Sequence, residues 1–176
     1  MISRRAFQLL VPAALLELGA PSLAYAASSK ELFTLARNKN ANVVKYAVRT
    51  TKDGRLLAER PIDAYWLMLA ENGRREELTW AERQLAYGFG VSDLTSDGCR
   101  LTLSACAKRV VHVTRVDGAF LARLEVAGKP ATLQRIFVQA DDGALLPSVR
   151  YVELSGVAAN GQRVRERVEP QRVSRF

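Results

Sequence analysis

Histidine, cysteine and long apolar runs are what this 176-residue chain has least of. A single histidine, His112, and two cysteines, Cys99 and Cys106, are too few for a closed structural zinc site. No Cys-x-x-Cys or His-x-x-x-His spacing occurs, and no Gly-x-Ser-x-Gly elbow marks a serine nucleophile. A permanent transmembrane helix needs about 20 consecutive apolar residues, and the chain has no such run. Collagen-like periodicity and a disulfide-dense framework are also missing. What is present is ordinary globular composition, 48% hydrophobic and 25% charged, which excludes wholesale disorder. Charge is unbalanced: 26 Lys+Arg stand against 18 Asp+Glu, a net +8.

Residues 1–26 read as an export signal. Arg4 and Arg5 form its positive start, Leu9 to Leu16 its apolar stretch, and Ala24-Tyr25-Ala26 its small-x-small cleavage pattern. The stretch is short, contains Pro12 and is followed by Glu17, so cleavage is expected rather than a retained span. Ser3-Arg4-Arg5-Ala6-Phe7 is similar to the twin-arginine consensus; a general secretory signal with two chance arginines is the alternative. With no cysteine near the cleavage site, a lipid anchor is not expected. Residues 27–176 are then one domain of typical size, reached by a folded or an unfolded route, and periplasmic or secreted.

Within that domain, short β-type runs lie between turn signals. Residues 42–50 lead to Asp53-Gly54, and 62–69 lead to Asn72-Gly73. Later runs are 101–105, 110–116, 119–126, 133–139, 149–154 and 162–168. Between them come Asp117-Gly118, Gly128-Lys129-Pro130, Asp142-Gly143 and Asn160-Gly161. Asp-Gly and Asn-Gly pairs accept the positive φ of tight hairpins, so their recurrence predicts antiparallel neighbours. About eight such strands predict a mainly β barrel or sandwich. Thr79-Trp80-Ala81-Glu82 is a capping box that opens one short helix of about ten residues, stopped at Gly88. A helix that short must dock on the sheet, with Trp80 and Tyr87 as its expected contacts.

Candidate binding residues gather around two of these strands. Asn38, Asn40 and Asn42 stand at period two, on the parity of Val44, Tyr46 and Val48. If the strand extends back to Asn38, three amides point inward at one end, where they tie loops or line a pocket. Asp63 enters an apolar strand beside Tyr65 and Trp66, which predicts an ion pair with an arginine such as Arg37 rather than a catalytic acid. His112 sits alone in its strand, so no catalytic residue and no metal site is assigned. Cys99 and Cys106, separated by strand-like sequence, are expected to be unpaired thiols. Arg163, Arg165 and Arg167 share one strand face. They deter edge-to-edge pairing or meet an anionic surface such as envelope lipid.

Arg37-Asn38-Lys39-Asn40-Ala41-Asn42-Val43-Val44-Lys45-Tyr46, Pro61-Ile62-Asp63-Ala64-Tyr65-Trp66 and Gly73-Arg74-Arg75-Glu76-Glu77-Leu78-Thr79 together resemble the uncharacterised domain-of-unknown-function family 4833. The resemblance continues through Ala86-Tyr87-Gly88 and Val149–Gly156 to Glu166-Arg167-Val168. It implies a single exported domain and brings no activity, cofactor or catalytic residue. The expectation is therefore a periplasmic, non-catalytic binding module for a small or lipidic ligand. Asn38, Asn40, Asn42, Asp63, Tyr65 and Trp66 would line its site. An envelope structural or protein-interaction module is the alternative, and a hydrolase with a site invisible in sequence a weaker one. Neither a cofactor nor a nucleic-acid partner is expected.

Overall fold

The computed structural model describes residues 28–38, 40–141 and 148–169. The expected leader, the Asp142-Gly143 turn and the final basic residues Arg172 and Arg175 lie outside the described residues. Eleven strands form one sheet: β1 (Ser28–Arg37), β2 (Val43–Thr50), β3 (Ile62–Met68), β4 (Arg74–Glu77), β5 (Phe89–Ser92), β6 (Gly98–Leu103), β7 (Val110–Val116), β8 (Ala119–Val126), β9 (Lys129–Asp141), β10 (Ser148–Ala158) and β11 (Arg163–Val168). Among the described residues one α-helix, α1 (Trp80–Gln84), interrupts the series.

The hairpins form where the turn pairs predict. At Asp117-Gly118 both residues take positive φ, 48° and 79°, which matches the right-handed twist of the flanking strands. Alternation then decides which face is buried: Phe120, Ala122, Leu124 and Val126 of β8 point into the core, and Arg123 and Glu125 point out.

The sheet departs from a simple meander at β9. This 13-residue strand pairs with β10 along one edge, and divides its other edge between two partners. Residues 129–132 pair antiparallel with β8, while 135–138 pair parallel with β1. A bulge at Gln134, between the Leu133–Gly156 and Arg135–Ser155 pairs, separates the two halves. It also resets the strand's parity, so Leu133 and Ile136 both reach the interior. From this junction two arms diverge, β1–β2–β3–β4 and β8–β7–β6–β5.

The arms close over one core. Phe33 stacks on Tyr46 at 4.7 Å between ring centres, and Tyr46 meets Phe89 of the opposite arm edge-on at 5.9 Å. Leu56 N donates to Ser96 O across the arms at 2.8 Å. Tyr46, Leu35, Ile62, Leu101, Leu103, Leu133, Ile136 and Leu154 fill the centre.

The expected barrel is corrected: β4 and β5 end the path without pairing to each other, so the sheet is not closed. The strands number eleven rather than about eight, and the β1–β9 pair is parallel. The helix carries the expected capping box but runs only five residues, and Trp80 is 77% exposed rather than docked. Beyond the helix the chain folds back on its last turn at Gly88, where a Cβ would stand 2.4 Å from Arg83 O. Tyr87, as expected, is buried.

Candidate functional site

β1 ends at Arg37 with a turn at Asn38, and β2 begins only at Val43, so Asn38, Asn40 and Asn42 lie outside both strands rather than on the predicted continuation of β2. Asn38 is fully used in that turn. Its Nδ2 donates to Ala140 O and its Oδ1 accepts from Ala140 N, both at 2.8 Å, fastening the end of β1 to β9. Asn40 Oδ1 accepts from Asn42 N at 2.9 Å, a local turn of the kind short amides favour. Asn42 is different: its Oδ1 is buried and has no hydrogen-bond partner.

Asn40 and Asn42 line a cleft of about 260 Å³ with Trp66, Met68, Glu76 and Glu82. Trp66 reaches it from the inward parity of β3, supported edge-on by Tyr87 at 5.0 Å. Glu82, at the third position of α1, accepts from Thr79 N at 2.7 Å and Thr79 Oγ1 at 2.8 Å through Oε2. Its Oε1 accepts from Trp66 Nε1 at 3.1 Å. Burial works against the charge of Glu82, but the bonds from Thr79 and Trp66 outweigh it and hold this carboxyl below its usual range. Glu76 Oε2 is held by Arg74 at 3.2 Å. The cleft therefore offers two carboxylates, an indole ring and one unsatisfied amide oxygen.

Three of the six residues assigned from sequence, Asn40, Asn42 and Trp66, meet in this cleft. Asn38 stands beside it with its amide spent on Ala140. Asp63 and Tyr65 project from the opposite face of β3, because residues of different parity cannot share a side. Asp63 is 4% exposed and does form an ion pair, with Arg60 and Arg75 rather than Arg37, at 2.6 Å each. Arg75 also covers the Tyr65 ring at 3.8 Å. Burial first, and Glu31 second, push the Tyr65 hydroxyl upward. Glu76 and Glu82 were not assigned to a site. The capping box singles out Glu82, but nothing local signals its second oxygen reaching Trp66, 16 residues away.

The outward face of β11 carries Arg163, Arg165 and Arg167, as the alternation predicts. Arg165 and Arg167 approach Glu153 at 3.5 and 3.7 Å, and Arg167 lies 4.0 Å over the Tyr151 ring. His112 is exposed on β7. Cys99 and Cys106 are free thiols, and burial pushes both up to about 11.

A search of curated proteins and a search of solved structures each found no match. A family model described as a domain of unknown function, number 4833, matches residues 33–167. That span runs from β1 into β11 and includes both the Asn42 cleft and the arginine face, so the chain belongs to domain-of-unknown-function family 4833.

Proposed function

We propose that the protein is exported to the periplasm and works there as a non-catalytic binding module. Its cleft at Asn42 would receive the head group of a small organic cation, such as a primary ammonium. The observation that carries this reading is the buried, unpartnered Asn42 Oδ1. A buried acceptor left without a donor costs about 1–3 kcal/mol, which a ligand's N–H would recover. Charge selects the donor: the Glu82 and Glu76 carboxylates flank the cleft, and a cation over an indole face gains about 0.5–2 kcal/mol more. Size favours a head group alone, since drug-sized ligands occupy about 300–1,000 Å³. An enclosed acyl chain has less support, because Tyr46 and its neighbours occupy the centre between the arms.

Trp66 and Trp80 are the only indoles, so Trp80→Phe makes Trp66 the sole reporter. Titrating 1,5-diaminopentane into that variant should change its emission saturably, and Asn42→Ala or Glu76→Gln should weaken the response at least tenfold. A flat titration, or an equal response to the neutral 1,5-pentanediol, overturns the reading.

A further inference from the structure

The outward face of the β6–β11 half carries a second arrangement, separate from the cleft. The strand registers align one residue from each of six strands. Arg100 stands opposite His112, and His112 opposite Arg123. Arg123 then faces Thr132, Thr132 faces Val157, and Val157 faces Arg163. With strands about 4.8 Å apart, this row spans about 24 Å. A parallel row, Arg135–Ser155–Arg165, crosses β9 to β11 on the far side of the Gln134 bulge. Two open grooves, of about 680 and 700 Å³, lie along these rows and form a trough in two parts that border one another at Gln134, a lining residue of both. Arg123 borders one part of it, and Arg163 and Arg165 the other. The neutral groups Thr132, Gln134 and Ser155 lie between.

Neither row sets two arginines directly opposite one another, since His112 parts Arg100 from Arg123 and Ser155 parts Arg135 from Arg165. Carboxylates balance only some of these charges. Arg100 is paired with Asp93 at 2.9 Å, and Glu153 approaches Arg165 at 3.5 Å. Glu125 lines one of the grooves and Glu153 the other. Arg123 and Arg163 have no carboxylate partner among the described residues. The countercharge these two arginines lack is therefore open to a ligand.

We infer that the trough binds a linear acidic glycan, a sugar chain carrying carboxylate or phosphodiester groups along its length. Guanidinium groups bind either group with paired N–H donors, and Thr132, Gln134 and Ser155 suit hydroxyls between the charges. A recessed trough suits a chain better than a flat bilayer, which would meet only its rims. Nucleic acid fits less well, because single strands need open aromatic faces for their bases. The aromatics of this face, Phe137 and Tyr151, lie under Arg135 at 5.5 Å and Arg167 at 4.0 Å.

The test is a titration of the purified protein with fluorescent polygalacturonate at low salt. Vesicles of phosphatidylglycerol and an oligothymidylate are run beside it at equal charge concentration. Arg123→Ala/Arg163→Ala should weaken polygalacturonate binding at least tenfold while the melting temperature holds, since both side chains are exposed. Lys52→Ala/Arg55→Ala, which removes the same charge from a distant loop, should weaken it less than twofold. Equal losses in the two double variants would reduce the effect to net charge and overturn the proposal. Tighter binding to vesicles or to the oligonucleotide, or no binding to polygalacturonate, would overturn it as well. None of these outcomes bears on the Asn42 cleft, whose probe is a cation.

Discussion

Glu82 accepts three hydrogen bonds on two oxygens, and in doing so joins a helix start to a strand indole. Half of this was readable: Ser/Thr-x-x-Glu is a local code, and Thr79 and Glu82 obey it. The other half depends on where β3 lies in space, which no local pattern encodes. The same limit applies in part to Asp63: Arg60 stands three residues away in sequence, but Arg75 is brought to it only by the β3–β4 hairpin. Because the folded state holds Glu82 below its ordinary value of 4.5, its contribution to stability is complete above that pH. The contribution then fades as pH falls through the lower folded-state value. Glu82→Gln should accordingly be less stable than the wild type by about 1 kcal/mol at pH 7. The difference should shrink progressively as pH falls below 4.5. Urea unfolding at pH 7, 5 and 3 measures it, and a difference constant with pH would contradict a charged, bonded carboxylate.

Among the elements, those with clean alternation were legible and those without it were not. β8 was placed because every second residue is apolar. β4, Arg-Arg-Glu-Glu, is exposed along its whole length and carries no such signal. β1 was missed for another reason: the register shift between Glu31 and Phe33 breaks its alternation. Asn38 and Asn40 do bond to backbone as loop ties, but β2 does not extend back to Asn38, because period two also occurs by chance outside a strand. β10 depends on close approach at Gly156, where a Cβ would stand 2.5 Å from Thr132 O of β9. Gly156→Ala should therefore force β9 and β10 apart and cost about 1–3 kcal/mol. A loss of that size should appear as a lower urea midpoint with an unchanged slope.

At the scale of the whole molecule, the recurring turn pairs and short apolar runs carried the class, mainly β. Closure did not follow from it, because whether the last strand of an arm finds the first strand of the other is decided by the split edge of β9. Export belongs to this scale too. Expressed with its first 26 residues, the protein should be recovered from the periplasm at the intact mass of residues 27–176. Recovery of the uncut chain from the cytoplasm alone would contradict the leader assignment.

The division of β9 also sets a timetable. β1 is built within the first 37 residues, yet Asn38 fastens to Ala140, 102 residues further along. The first arm thus waits for nearly the entire chain before its inner edge is covered. Pairing across so long a loop is slow, placing folding in the millisecond-to-second range typical of high contact order. During that interval β1 has a bare edge, open to any extended segment that arrives before β9.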